Sequence, residues 1–141
     1  MAIRIVQLGS DRAPDEGLRI GTVRRPPRGV PKTEFASRNY YDCWLPELSP
    51  EAELMAQAQE SVKLRTAGQT AEADTLWKLF EKQFRKQLAE PATDRTLGLL
   101  AALSHSSAFS IGCYCEDESQ CHRSILRSLL VDKGASIRNQ G

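Results

Sequence analysis

The chain has 141 residues, of which 40% are hydrophobic and 26% charged. That size suits one domain and is short for two, and the composition excludes a disordered or fibrous chain. Nineteen Lys+Arg against eighteen Asp+Glu leave a net charge of +1, which excludes a whole-molecule basic field for nucleic acid, and no apolar run approaches the ~20 residues of a membrane helix.

Taken in chain order, residues 3–8 are apolar and β-branched and predict a short strand. Residues 11–17 carry Pro14 and Gly17 and read as a loop. Residues 18–23 predict a second strand, with Leu18, Ile20 and Thr22 alternating with Arg19, Gly21 and Val23. Residues 24–32 hold three prolines and Gly29, which exclude regular structure, and are basic through Arg24, Arg25, Arg28 and Lys32. Residues 35–48 group Tyr40, Tyr41 and Trp44 without a clear period.

Ser49-Pro50-Glu51 predicts a helix start, with Ser49 as the cap and Pro50 in the first helical position. Leu54, Ala58 and Val62 carry that helix to about Thr66, and Gly68 stops it. Thr70 is expected to cap a second helix, where Ala73, Leu76, Trp77, Phe80, Phe84 and Leu88 keep helical spacing. Such a stripe belongs in a core rather than around a cofactor. Pro91 ends this helix, and Thr93 and Asp94 are expected to open a third through Leu97, Leu100 and Ala101.

Residues 109–115 predict a buried strand and 116–119 a turn. A last helix is expected from about Gln120, with His122, Ile125, Leu126, Leu129 and Leu130 on one face and Gly134 as its stop. One domain over residues 1–133 and a flexible C-terminal tail over 134–141 follow. The alternation predicts an α/β fold: a small three-layer Rossmann-like domain with a short, largely parallel sheet flanked by helices and joined by right-handed crossovers.

Three of the four cysteines, Cys113, Cys115 and Cys121, fall close together, and Cys43 stands apart. The opening Met-Ala-Ile-Arg-Ile-Val lacks the regions of an export signal. A reducing cytoplasm is therefore expected, where clustered thiols serve metal binding, reactivity or packing rather than disulfides.

The segment 111–126 runs from a strand end into a helix start. In open α/β sheets ligands bind beyond the carboxyl ends of strands, and free backbone N–H groups there attract anions. With Ser119 as the cap, Cys121 would lie in the first helical turn, where the dipole and Arg123 lower a thiol pKa and Glu116, Asp117 and Glu118 oppose them. Three readings stay open. Cys121 and His122 pack structurally; or they flank a substrate as catalytic residues; or Cys113, Cys115, Cys121 and His122 bind a metal, although their spacing matches no common zinc pattern. The first two imply no cofactor. Arg24 and Arg28 follow the second strand and offer forks for phosphate or carboxylate, with Arg123 and Arg19 as further ligand-binding candidates. The alternative for these arginines is a solvated loop or backbone bonding.

Gly17, Arg19, Arg24, Pro27, Arg28, Gly29 and Lys32, then residues 44–50, the aromatic helix 77–88 and the segment 110–126, occur in order. Together they resemble the YeaO-like branch of the bacterial family catalogued as domain of unknown function 488 (DUF488), over roughly residues 17 to 130. Val23 stands where that family usually has Asp, and Pro26 where it usually has Trp. Cys121-His122 stands where YeaO-like members commonly have Asn-His, and other branches carry Cys-His-Arg. The resemblance implies a cytoplasmic α/β protein without an established reaction, with His122 a better shared feature than Cys121. The expectation is an uncharacterised protein that binds a small anionic ligand at the carboxyl edge of the sheet through Arg24, Arg28, Arg123 and Arg19. His122 and Cys121 would supply acid–base or thiol chemistry. The alternative is a noncatalytic binding or regulatory module, acting as a homo-oligomer, or a Cys/His metal site; the residues do not decide whether the chain is an enzyme. No nucleic-acid partner is indicated, since aromatics are 6% and the basic loop lacks interleaved stacking residues.

Overall fold

A computed structural model gives the structure of residues 1–138. The apolar segments expected as strands form β1 (Ile3–Gln7), β2 (Leu18–Gly21) and β4 (Phe109–Cys113), and two two-residue strands not expected from sequence, β3 (Cys43–Trp44) and β5 (Ile137–Arg138), join them. The periodic segments form helices α1 (Ala52–Thr66), α2 (Thr70–Leu88), α3 (Pro91–Leu103) and α4 (Arg123–Asp132). The strands form one sheet in the order β3-β2-β4-β1-β5, every pair parallel.

Side chains alternate across a strand, so Ile3, Ile5, Ile20, Phe109 and Ile111 share a face, with Ile111 in register with both Ile5 and Ile20. They form one core with Phe80, Phe84, Leu97, Leu126 and Leu130 from the helices. The opposite face carries Arg19 and Ser110, both bonded to Glu16.

Topology explains this asymmetry. From β1 to β2 to β3 the chain steps toward one edge of the sheet; from β3 to β4 to β5 it steps back. With right-handed crossovers, opposite steps send the connections over opposite faces. Both return crossovers are helical, so the four helices of the described residues pack on the isoleucine face. Both outward crossovers, residues 8–17 and 22–42, lack α-helix. The α/β Rossmann-like fold is as expected, with coil rather than helix as its third layer.

Several boundaries differ from expectation. Ser49 does not cap α1: Glu51 precedes the helix, and the Ser49 hydroxyl is buried without a partner. Gln69 precedes α2, so Thr70 is its first residue rather than its cap. Pro91 opens α3 instead of only closing α2, because the Glu90 side chain accepts from the Thr93 N–H and Pro suits the first helical position. Ser119 sits in a 3-10 turn, Glu118–Gln120, capped by Asp117. Cys121 and His122 therefore precede α4 instead of lying in its first turn. Strand β4 ends at Cys113, two residues early. Of the expected tail 134–141, Ile137 and Arg138 form β5 beside Ile3 and Arg4, and residues 139–141 lie outside the described residues. No helix of the described residues is long and apolar enough to cross a membrane.

Candidate functional site

Neighbours β2 and β4 send their chains in opposite directions, one toward β3 and the other toward β5. Their carboxyl-end loops must part, and a ligand crevice forms at such a switch point. Both sequence-predicted constellations lie on these two loops. Thr22 donates its N–H and its hydroxyl to the Gly112 carbonyl, at 2.9 and 3.0 Å. Gly112 has to be glycine, since a Cβ there would stand 2.8 Å from the Val6 carbonyl oxygen. Beyond it, the Tyr114 hydroxyl donates to the Arg25 carbonyl at 2.8 Å, and His122 Nε2 lies 2.7 Å from the Thr22 carbonyl. The proline-rich cationic loop and the Cys-His turn are thus in direct contact.

A cavity of about 460 Å³ opens between them, within the range of small-molecule sites. Val23, Arg24 and Arg25 form one side; Cys113, Tyr114, Cys115 and His122 form another. Residues leading into α1, including Ser49, Pro50, Ala52 and Met55, close the third. None of its described lining residues is a carboxylate. A larger groove of about 730 Å³ that Arg24 also lines sets four carboxylates, Glu47, Glu51, Glu53 and Glu90, against two cations, Arg24 and Lys86, and suits an anion less well.

The four arginines have different fates. Arg24 donates from Nε to the Pro50 carbonyl at 3.0 Å and from Nη2 to the Ser49 carbonyl at 3.2 Å, which fixes its guanidinium at the cavity wall. Arg28 is exposed, does not line the cavity and has no hydrogen bond among the described residues. Arg19 is wholly buried on the opposite face. Its guanidinium pairs with Glu16 at 2.7 and 3.0 Å and donates to the Ser10 and Asn39 carbonyls. It knits the coil layer to the sheet and is unavailable to a ligand in the cavity. Arg123 is buried behind the thiols, donating to the Cys115 carbonyl at 2.6 Å while its Nε has no partner.

His122 is buried and edge-on to Phe84. A carbonyl only accepts, so the bond to Thr22 places a proton on Nε2 and leaves Nδ1 as the acceptor of the neutral ring. Nδ1 faces Cys121 Sγ at 3.7 Å. The side-chain donor atoms of Cys113, Cys121 and His122 all lie within 4.8 Å of one another, and all three residues are buried.

Cys121 does not line the cavity; Cys113 and Cys115 do, and Cys115 is exposed. Hydrogen bonds from Cys113 and Cys121, with the Arg123 charge, push the Cys115 thiol down to about 3. The contacts with Cys115 and then Cys121, reinforced by burial, push Cys113 up. Burial works against the Arg123 charge, and the sulfurs of Cys113, Cys121 and Cys115 more than offset it. Cys43 is half-buried on β3 and packs on the main core.

Sequence reasoning missed Thr22, Tyr114 and Met55. Thr22 carried a signal, a hydroxyl residue at the carboxyl end of an expected strand, whereas Tyr114 and Met55 reach the cavity only through tertiary packing. A family model described as "Active DUF488-N3 subclade" matches residues 3–134. No curated protein and no solved structure matches the chain.

Proposed function

The chain belongs to the DUF488 family, and on that premise we propose that it is a cytoplasmic enzyme acting on a small phosphate- or carboxylate-bearing molecule in the switch-point cavity. The observation that carries this reading is the lining: Arg24, Arg25 and His122 without a described carboxylate. Arg24 is already held by two carbonyls, so little freedom is lost when it meets an anion. Arg25 lies next to it, and Val23, Met55 and Tyr114 offer apolar surface to the body of the ligand. The reactive wall is the His122–thiol cluster, where the chemistry at hand is acid–base at the imidazole or nucleophilic at a thiol. The word "active" in the description of the matched subclade supports a catalyst. Four free cysteines suit a reducing compartment.

Calorimetric titration with phenyl phosphate, which carries an anion and a flat apolar body, tests this. Binding is expected, and Arg24→Ala/Arg25→Ala is expected to weaken it at least about tenfold, the worth of a charge-assisted hydrogen bond. Equal affinity in the folded double variant overturns the cavity reading. A noncatalytic module is the second reading. It is favoured by the bonds of His122 to Thr22 and of Arg24 to Pro50, which also suit purely structural residues. In that case Arg24→Ala lowers stability, and phenyl phosphate does not bind either protein.

A further inference from the structure

We propose that Cys113, Cys121 and His122 bind one zinc ion, with the fourth coordination position turned toward the switch-point cavity. The site itself stands on these three side chains; only the role of the fourth position rests on the cavity reading above. The three donor atoms lie within 4.8 Å of one another in a buried place. Zinc bonds sulfur at about 2.3 Å and imidazole nitrogen at about 2.0–2.1 Å, so a tetrahedral ion separates two such ligands by about 3.6 Å. Cys121 Sγ and His122 Nδ1 are 3.7 Å apart.

The surroundings agree with the geometry. A metal-binding imidazole commonly donates its other N–H to a carbonyl, which fixes the tautomer and aims the free nitrogen. His122 does so to Thr22 at 2.7 Å and aims Nδ1 at Cys121. The buried Arg123 guanidinium stands beside the sulfurs with an unpartnered Nε, a counter-charge suited to thiolates. A donor set of two sulfurs and one imidazole selects zinc over magnesium or calcium.

The spacing of the ligands is unlike common zinc motifs because the fold assembles them. Cys113 ends β4, while Cys121 and His122 precede α4 across an intervening turn. Cys113 and His122 line the cavity and Cys121 lies behind them, so the coordination sphere faces the cavity; Cys115, whose thiol meets Cys113 and Cys121 at the same wall, is not in the group whose donor atoms all lie within 4.8 Å of one another. Three protein ligands and an open position are the arrangement of catalytic zinc, in contrast to the four protein ligands of structural sites. With zinc present, the imidazole and the two thiols act as ligands rather than as base and nucleophile. The wall of the cavity then becomes a Lewis acid facing an oxygen of the anion held by Arg24 and Arg25.

The test uses the full chain, expressed with added zinc and purified under reductant without chelator. Plasma mass spectrometry is expected to find about one zinc per chain. Cobalt(II) added to the stripped protein is expected to give sulfur-to-cobalt and tetrahedral visible bands that saturate at one equivalent. Cys121→Ser is expected to lose both signals and Cys43→Ser to keep them; if Cys121→Ser does not fold, the wild-type cobalt titration decides. Less than ~0.2 zinc per chain with no cobalt spectrum overturns the site, since a formed site holds its ion. Cys115→Ser is expected to keep one metal, and loss there overturns the open fourth position in favour of a closed four-ligand site. Arg24→Ala/Arg25→Ala is expected to keep the metal while losing phenyl phosphate, so the two readings fail separately.

Discussion

Arg19 and Glu16 form the most fully buried ion pair of the described residues, and their environment explains why a charge can sit there. Burial alone would raise the Glu16 pKa, but bonds from Arg19 and Ser110 lower it further than burial raises it. Because folding lowers this pKa, the stability Glu16 contributes is complete above its ordinary value of 4.5 and is lost as pH falls through the lower folded value. Glu16→Gln leaves a buried guanidinium without its counter-charge. It is expected to cost about 3–5 kcal/mol in urea unfolding at pH 7. It should also flatten the fall of wild-type stability between about pH 5 and pH 2. A variant as stable as wild type at pH 7 would show that the pair does not hold the coil layer to the sheet. Arg19 also shows a limit of sequence reading. Arg19 and Arg28 are alike as arginine candidates for an anion, and only the strand position of Arg19, with Glu16 three residues before it, separates a buried knot from a solvated side chain. Arg24 stood out as a candidate because it directly follows the expected strand 18–23; β2 ends at Gly21, and Arg24 lines the cavity three residues beyond it.

Among the elements, α2 was legible nearly whole because a 19-residue amphipathic helix repeats its signal over several turns. The two-residue strand β3 was illegible, since its identity lies in pairing with Ile20 and Gly21 far away in sequence. Within α2 the aromatic stripe divides in a way that spacing alone does not reveal. Phe80 and Phe84 are fully buried under the sheet, whereas Trp77 is half-buried and also lines a small surface pocket with Ser61 and Arg65 from α1. Phe84→Ala is expected to cost about 3–5 kcal/mol, the range for an aromatic deletion in a packed core. Trp77→Ala is expected to cost less, because part of its ring surface never leaves water. Chemical denaturation of both variants checks the ranking, and a reversed order would mean that the helix is rotated about its axis. Phe84 also touches the His122 ring edge-on, so its deletion is expected to loosen the site where Trp77→Ala leaves it unchanged.

At the scale of the whole molecule, the site follows from the order in which strands are laid down rather than from any motif. Two loops 90 residues apart in sequence, joined through Thr22 and Gly112, diverge because β2 and β4 are neighbours with opposite exits. The Cys-His turn and the cationic loop could be read as candidates from sequence, but their shared cavity depends on a strand order that no local pattern encodes. If the cavity is local to that switch point, the far edge of the sheet can be altered without affecting it. β5 is that edge, separated from β4 by β1. Ending the chain at Gly134 removes the pairing of Ile137 with Ile3, the contacts of Ala135 and Ile137 with the core, and the bonds of Ser136 to Ile3 and Ser104. It also removes the bond of the Ala135 N–H to the Leu130 carbonyl and the exposed Arg138–Asp15 ion pair. These are a few partly buried apolar groups, a handful of hydrogen bonds and a solvated ion pair worth little, so the truncation is expected to cost about 1–3 kcal/mol in urea unfolding. Phenyl phosphate affinity and zinc content of the folded truncated protein are expected to match the full chain. A truncated protein that keeps its circular dichroism but loses either property would mean that the site depends on the entire sheet, and that the switch point alone does not build it.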